Sequence, residues 1–226
     1  MSAARSEPKA SEDHQMSERE GPVRVAAVVL AAGASRRMGG ANKLLAPFEG
    51  EPLVARAVDA ALASRAAIVV VVTGFQPARV RRALAGRDVE FAHNRYHARG
   101  LGGSLRRGLR ALDDGIEGAL IQLADMPWVR ADHLDALIAA FARARRRPIC
   151  VPVRGRRRGN PVLWPVRHFA ALCALQGDVG GRGLLRRYAG EVVRVAMSDA
   201  AVMRDVDTLA DLKAASVPRA SRARLP

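Results

Sequence analysis

The chain has 226 residues, two cysteines, 4% aromatic residues and a formal charge of +15. That length suits one α/β domain with tails, and about 70% of its unfolded surface can be buried without staples. The composition excludes a disulfide scaffold, a membrane span of about 20 apolar residues and a secretory leader.

Residues 1–22 lack periodicity and read as a disordered tail. A domain over 23–215 follows, then a basic tail over 216–226. Val25 to Ala32 is an unbroken run of small and β-branched residues, the pattern of a strand buried on both faces. It breaks at Gly33, and Ser35, Arg36, Arg37, Met38, Gly39 and Lys43 follow. A glycine-rich turn after a buried strand exposes backbone N–H groups that can cradle phosphate oxygens. Arg37 and Lys43 add full charge where the backbone offers only dipoles. The spacing fits neither a P-loop nor the dinucleotide fingerprint.

Pro52 suits the first turn of a helix whose inner stripe runs from Leu53 to Leu62. Ala66 to Val72 predicts a second buried strand ending at Thr73-Gly74, Pro77 opens a short helix, and Val89 to Ala92 predicts a third strand. Asn94 then leads into a second glycine loop, Gly100, Gly102, Gly103 and Ser104, which opens a helix with Leu101, Leu105, Leu109 and Leu112 inward. Two such loops at the carboxyl ends of parallel strands would lie near each other, where open α/β sheets bind ligands. His93 and His97 are four apart, but no helix pattern runs between them to make a metal pair.

Ala119 to Leu123 predicts the fourth strand, ending in Ala124-Asp125-Met126-Pro127. A carboxylate there is placed to hold Mg²⁺, or to form a turn. A helix with Leu134, Leu137, Ile138 and Phe141 inward follows, then a strand from Ile149 to Val153. Arg156, Arg157 and Arg158 form a basic turn, either a solvated hairpin tip or a contact for an anion. Asn160 to Trp164 predicts a neighbouring strand, Val166 to Leu175 a short helix, Gly177 to Tyr188 a loop running into a helix, and Val192 to Ala196 a further strand. Thr208 and Asp211 fit a capping box, leaving Asp205 and Asp207 ahead of a helix start as available ligands. Alternating buried strands and amphipathic helices argue for one doubly wound, mostly parallel α/β sheet. The charge keeps nucleic-acid binding open, but scarce aromatics offer few stacking platforms.

The run L-A-A-G-x-S-x-R-M-G-x-x-x-K from Leu30 to Lys43 resembles the signature of the MobA-like NTP transferases. Thr73-Gly74, Ser104-Leu105-Arg106, Leu123 to Pro127, Gly159-Asn160-Pro161-Val162, Gly177 to Arg182 and Asp205 to Thr208 then resemble, in order, the motifs of the molybdopterin cytidylyltransferase branch. The resemblance implies a Rossmann-like nucleotidyltransferase fold with a small antiparallel extension on the acceptor side. It implies transfer of CMP from CTP to the terminal phosphate of molybdopterin with Mg²⁺, releasing pyrophosphate, in the cytoplasm, with a molybdoenzyme as recipient and neither membrane nor nucleic acid as partner. Arg37, Lys43 and Asp125 would be catalytic. Leu30, Ala31, Ala32, Gly33, Ser35, Arg36, Met38, Gly39, Thr73, Gly74, Asn94, Gly102, Gly103 and Ser104 would hold the nucleotide. Asn160, Asp178 and Arg182 would face the acceptor, and Asp125 and Asp207 would hold the metal. Ala32 matches the cytidine-preferring form. Ala124 and Asn160 depart from the usual glycine and histidine, which bears on the acceptor rather than on the nucleotide chemistry. The rival readings are a guanylyltransferase, a sugar- or isoprenoid-phosphate enzyme, and a protein that only binds the cofactor.

Overall fold

The computed structural model describes residues 23–34, 41–178, 180–207 and 211–212. Residues 1–22, 35–40, 179, 208–210 and 213–226, with the expected tails and Thr208 among them, lie outside these. The elements are β1 (Val25–Ala31), β2 (Pro47–Phe48), β3 (Glu51–Pro52), α1 (Leu53–Leu62), β4 (Ile68–Thr73), α2 (Pro77–Ala83), β5 (Glu90–His93), α3 (Leu101–Leu109), β6 (Gly118–Leu123) and α4 (Ala131–Arg143). β7 (Ile149–Arg154), β8 (Arg157–Arg158), β9 (Val162–Pro165), α5 (Phe169–Cys173), α6 (Arg182–Arg187) and β10 (Val192–Ala196) complete them.

One sheet runs β10-β7-β9-β6-β1-β4-β5, with β8 paired to β7. β1 pairs in parallel with β4 and β6, β4 with β5, and β7 with β10. β9 is antiparallel to both its neighbours, and β8 is antiparallel to β7. The expected doubly wound, mostly parallel sheet with an antiparallel extension is therefore the fold.

Period-two alternation sorts the strand side chains onto two faces. Val25, Ala27, Val29 and Ala31 pack in one core cluster with Leu53, Val58, Leu134 and Phe141, under α1 and α4. Val28 and Leu30 pack in the other with Leu105, Leu109, Leu172 and Leu185, under α3, α5 and α6. Covering both faces explains why β1 reads as an unbroken apolar run. Gly108 lets α3 sit against the sheet, because a Cβ there would fall 2.4 Å from Val28 Cγ1 and 2.8 Å from Val72 Cγ2.

The segment around Pro47 and Pro52, expected as a turn and a helix start, is a short hairpin. Pro47 pairs with Pro52, and Glu49 and Gly50 take positive φ values of 51° and 89° between them. Pro52 ends that hairpin as the N-cap of α1. Among the described residues, no helix is long and apolar enough to cross a membrane.

Candidate functional site

The strand register brings the expected motifs to one rim. Ala31 pairs with Thr73, Leu30 with Leu123, and Thr73 with His93. The residues that follow these pairs, from Ala32, Gly74, Asn94 and Ala124 onward, emerge side by side at the carboxyl ends of four adjacent strands. Backbone bonds tie them together: Ala124 N–H donates to Leu30 O at 3.3 Å, Phe75 N–H to Ala32 O at 3.2 Å, and Asn94 N–H to Thr73 O at 2.8 Å. Gly74 makes the first turn fit, since a Cβ there would meet Ala32 O at 2.7 Å and His97 Cβ at 2.5 Å. Ser35, Arg36, Arg37, Met38 and Gly39, expected in the first glycine-rich loop, lie outside the described residues.

Beyond that loop, Asn42 Oδ1 accepts from Leu44 N–H and caps a single helical turn over Lys43–Leu45. Asn42 Nδ2 donates to Phe75 O at 3.4 Å, pinning the turn to the end of β4. The Lys43 side chain, 14% exposed, donates to Asp125 Oδ2 at 2.8 Å and to Val206 O at 2.7 Å. Asp207 Oδ1 lies 3.8 Å from the same ammonium. Val206 N–H donates to Asp125 O at 2.9 Å, so the two acidic segments are stitched through their backbones. Arg204 lies 3.7 Å from the Trp128 ring centroid, a contact three residues ahead of Asp207. Asp211 accepts from Asp207 N–H at 3.2 Å, so the carboxylate expected to cap from Asp211 reaches Asp207.

Asp125 Oδ1 is buried and has no hydrogen-bond partner among the described residues. An unpaired buried carboxylate oxygen is costly, and a cation ligand relieves that cost. Two carboxylates on a shared point suit a hard divalent cation that completes its shell with waters and phosphate oxygens. Among the described residues no group of three or more His, Cys, Asp or Glu gathers anywhere, so the protein donors here are two carboxylates. The unpartnered Asp125 Oδ1 is the observation by which they fit such an ion.

The second glycine loop answers mainly to packing. Gly102 N–H donates to Gly177 O at 3.1 Å, and a Cβ on Gly102 would fall 2.4 Å from Leu175 O. Gly100 has φ 107°, and its Cβ would fall 2.2 Å from Gly177 C. The Gly102 amide is thus taken by protein. Asn94 Nδ2 donates to the buried Ser104 hydroxyl at 3.0 Å, and Thr73 Oγ1 lies 3.3 Å from His93 Nδ1.

Asn160, Asp178 and Arg182 line one cleft of about 730 Å³, together with Leu30 and Leu123 at the ends of β1 and β6. Trp164, Arg158 and Arg186 complete its walls. Trp164 belonged to the expected strand, and only its partners across the sheet reveal which cleft it lines. Gly159 permits the turn into this wall, since a Cβ there would fall 2.2 Å from Val202 O. The cleft carries several guanidinium groups against one carboxylate, so it favours an anion beside an apolar surface.

Residues 27–192 match the family described as the MobA-like NTP transferase domain. The purine catabolism protein PucB of Bacillus subtilis is 32% identical over 205 residues, covering 80% of this chain and 90% of that protein. The bifunctional protein GlmU of Cupriavidus taiwanensis is 39% identical over 170 residues, but this chain spans only 32% of its length. The fold also matches Rv0371c of Mycobacterium tuberculosis, solved in complex with manganese, at TM-score 0.73 and 24% identity, covering 86% of this chain and 98% of that one.

Proposed function

The chain belongs to the MobA-like NTP transferase family, and from that premise we propose that it transfers CMP from CTP to the terminal phosphate of molybdopterin. An oxygen of the acceptor phosphate attacks the α-phosphorus of the nucleotide. The bond to the bridging oxygen breaks, and pyrophosphate leaves with the electron pair. The observation that carries the reading is the unpartnered Asp125 Oδ1 beside Asp207 at the rim where the first glycine turn begins. Asp125 and Asp207 would hold Mg²⁺, which supplies charge neutralisation at the phosphates. Manganese bound to a protein of the same fold supports a divalent ion here.

The acceptor phosphate is already an anionic nucleophile, so the protein needs no strong general base. Positioning and charge stabilisation remain, and they fall to this chain's own groups. Lys43 brings a positive charge beside the acidic pair, and Arg37 of the same sequence motif would add a second. The cleft of Asn160, Asp178, Arg182 and Trp164 would take the acceptor, guanidinium groups on its phosphate and the indole against its ring. Asn160 stands where a histidine is usual; it still donates a hydrogen bond but cannot titrate. Ala32 supports CTP over GTP, its methyl group packed where Gly74 leaves room. We place the reaction in the reducing cytoplasm, with a molybdoenzyme receiving the product.

The test is pyrophosphate release with each NTP, Mg²⁺ and molybdopterin. Turnover with CTP is expected. Turnover only with GTP, or only with a sugar or isoprenoid phosphate, would reassign the substrates, and no turnover with any NTP would overturn the proposal.

A further inference from the structure

Helix α3 has two working faces. Leu101 and Leu105 look onto the acceptor cleft. Gly103, Arg106, Arg107 and Arg110, spaced i, i+3, i+4 and i+7, line a separate cavity of about 540 Å³ on the other side. Arg95 and Arg99 reach it from the loop after β5, and the segment from Leu175 to Gly177 closes it. The two cavities share no lining residue, and α3 stands between them.

Five guanidinium groups thus converge on one concavity whose lining holds no carboxylate. Elsewhere among the described residues some arginines are ion-paired and others, Arg156 and Arg186 of the neighbouring cleft included, are not. Arg24, Arg56, Arg87, Arg130, Arg147 and Arg167 all form ion pairs. None of the five does so among the described residues. Two of them are held in place by carbonyls: Arg106 Nε donates to Cys173 O at 2.7 Å and Arg107 Nε to His93 O at 3.0 Å. Arg95 and Arg99 both pack on Tyr96, 5.3 and 4.8 Å from its ring centroid. Like charges gathered and partly immobilised in a cavity repel one another, and a polyanion relieves that repulsion. The volume falls within the roughly 300–1,000 Å³ of small-molecule sites. Guanidinium forks match phosphate geometry.

We infer that this cavity, which Asp125 does not line, is a second anion site for a small molecule carrying two or more phosphoryl groups; Asn94 and Gly103, expected at the nucleotide, border it at one side. The probe is inorganic tripolyphosphate, titrated calorimetrically into the full chain with a chelator present. Binding at the cavity is expected to weaken at least tenfold in Arg95→Ala/Arg110→Ala, with thermal unfolding preserved. A control of equal charge loss, Arg82→Ala/Arg145→Ala, should leave it unchanged. Equal weakening by the control would reduce the effect to net charge and overturn the inference. So would unchanged binding in the first variant, or oligothymidylate binding there in place of tripolyphosphate. If the chain proved to use no nucleotide, the Arg95/Arg110-dependent binding would still be seen, so this inference and the proposed reaction fail separately.

Discussion

Lys43 donates to Asp125 at 2.8 Å across 82 residues of sequence, at the end of the strand next to the one that leads into its own turn. The ammonium thus stands among the oxygens that a divalent ion would use. It holds the acidic pair together in the nucleotide-free protein, and nucleotide with its metal would draw it onto phosphate. Lys43→Ala should therefore lower kcat/KM about ten- to a hundredfold, the value of a charge-assisted bond of about 1.5–3 kcal/mol. The same variant should bind Mn²⁺ more tightly than the wild type without nucleotide, because the competing cation is gone. Paramagnetic titration checks the second effect; weaker Mn²⁺ binding would show that lysine and metal do not share the pair.

Asp125→Asn keeps the shape and removes the charge. Mn²⁺ binding should fall at least tenfold and turnover at least a hundredfold, while the thermal midpoint stays near the wild type. Titration and a melting curve on the same sample separate lost ligation from lost fold.

Gly102→Ala forces a methyl group to 2.4 Å from the Leu175 carbonyl oxygen, and backbone must move to admit it. Overpacking of this kind costs about 1–3 kcal/mol. Thermal unfolding should fall by roughly 2–4 °C for each kcal/mol. The start of α3 shifts with it, so the KM for nucleotide should rise as well.

The Arg167 guanidinium bonded to Glu191 holds that carboxyl below its ordinary 4.5, with His168 adding to the effect. A lowered folded value means stability that is present above 4.5 and lost as pH falls below it toward the folded value. Arg167→Ala should flatten that acid limb and leave His168 as the remaining partner. Urea midpoints measured from neutral pH down to about pH 3 report the slope.

Burial pushes the Cys150 thiol up to about 12, and it also raises that of Cys173. Thiolate is the reactive form. Cys150 should resist a thiol reagent at about pH 8 until the chain unfolds, and Cys173 should react slowly. A stopped-time labelling experiment followed by mass spectrometry counts each.

Local pattern made the sheet legible. Apolar runs marked β1, β4, β6 and β7, and helical stripes marked α1, α3 and α4, because both signals come from neighbours in sequence. The β2–β3 hairpin was hidden by its two prolines, which also suit a turn and a helix start. The reversed direction of β9 depends on pairing with β6 and β7, which no local pattern encodes. The acidic residues at 125 and 207 could be singled out from their positions beside predicted elements, but the hold of Lys43 on them could not, since its partners come from distant stretches of chain. The glycines at 100 and 102 were legible as a requirement for small residues; the reason, a close approach by residues 175–178, came only with the fold. The arginine cavity was invisible for the same cause: one wall is a helix face and the other a loop about seventy residues later.

The cleft lined by Asn160, Asp178 and Arg182 draws its lining unevenly from the chain. Every residue that lines it ahead of Asp125 is aliphatic, and every charged or polar one follows Asp125. The polar wall thus comes from residues 156–186, a stretch that contains neither Asp125 nor Asp207. A graft limited to that stretch from a relative should change what the cleft accepts while leaving Lys43 and both carboxylates in place.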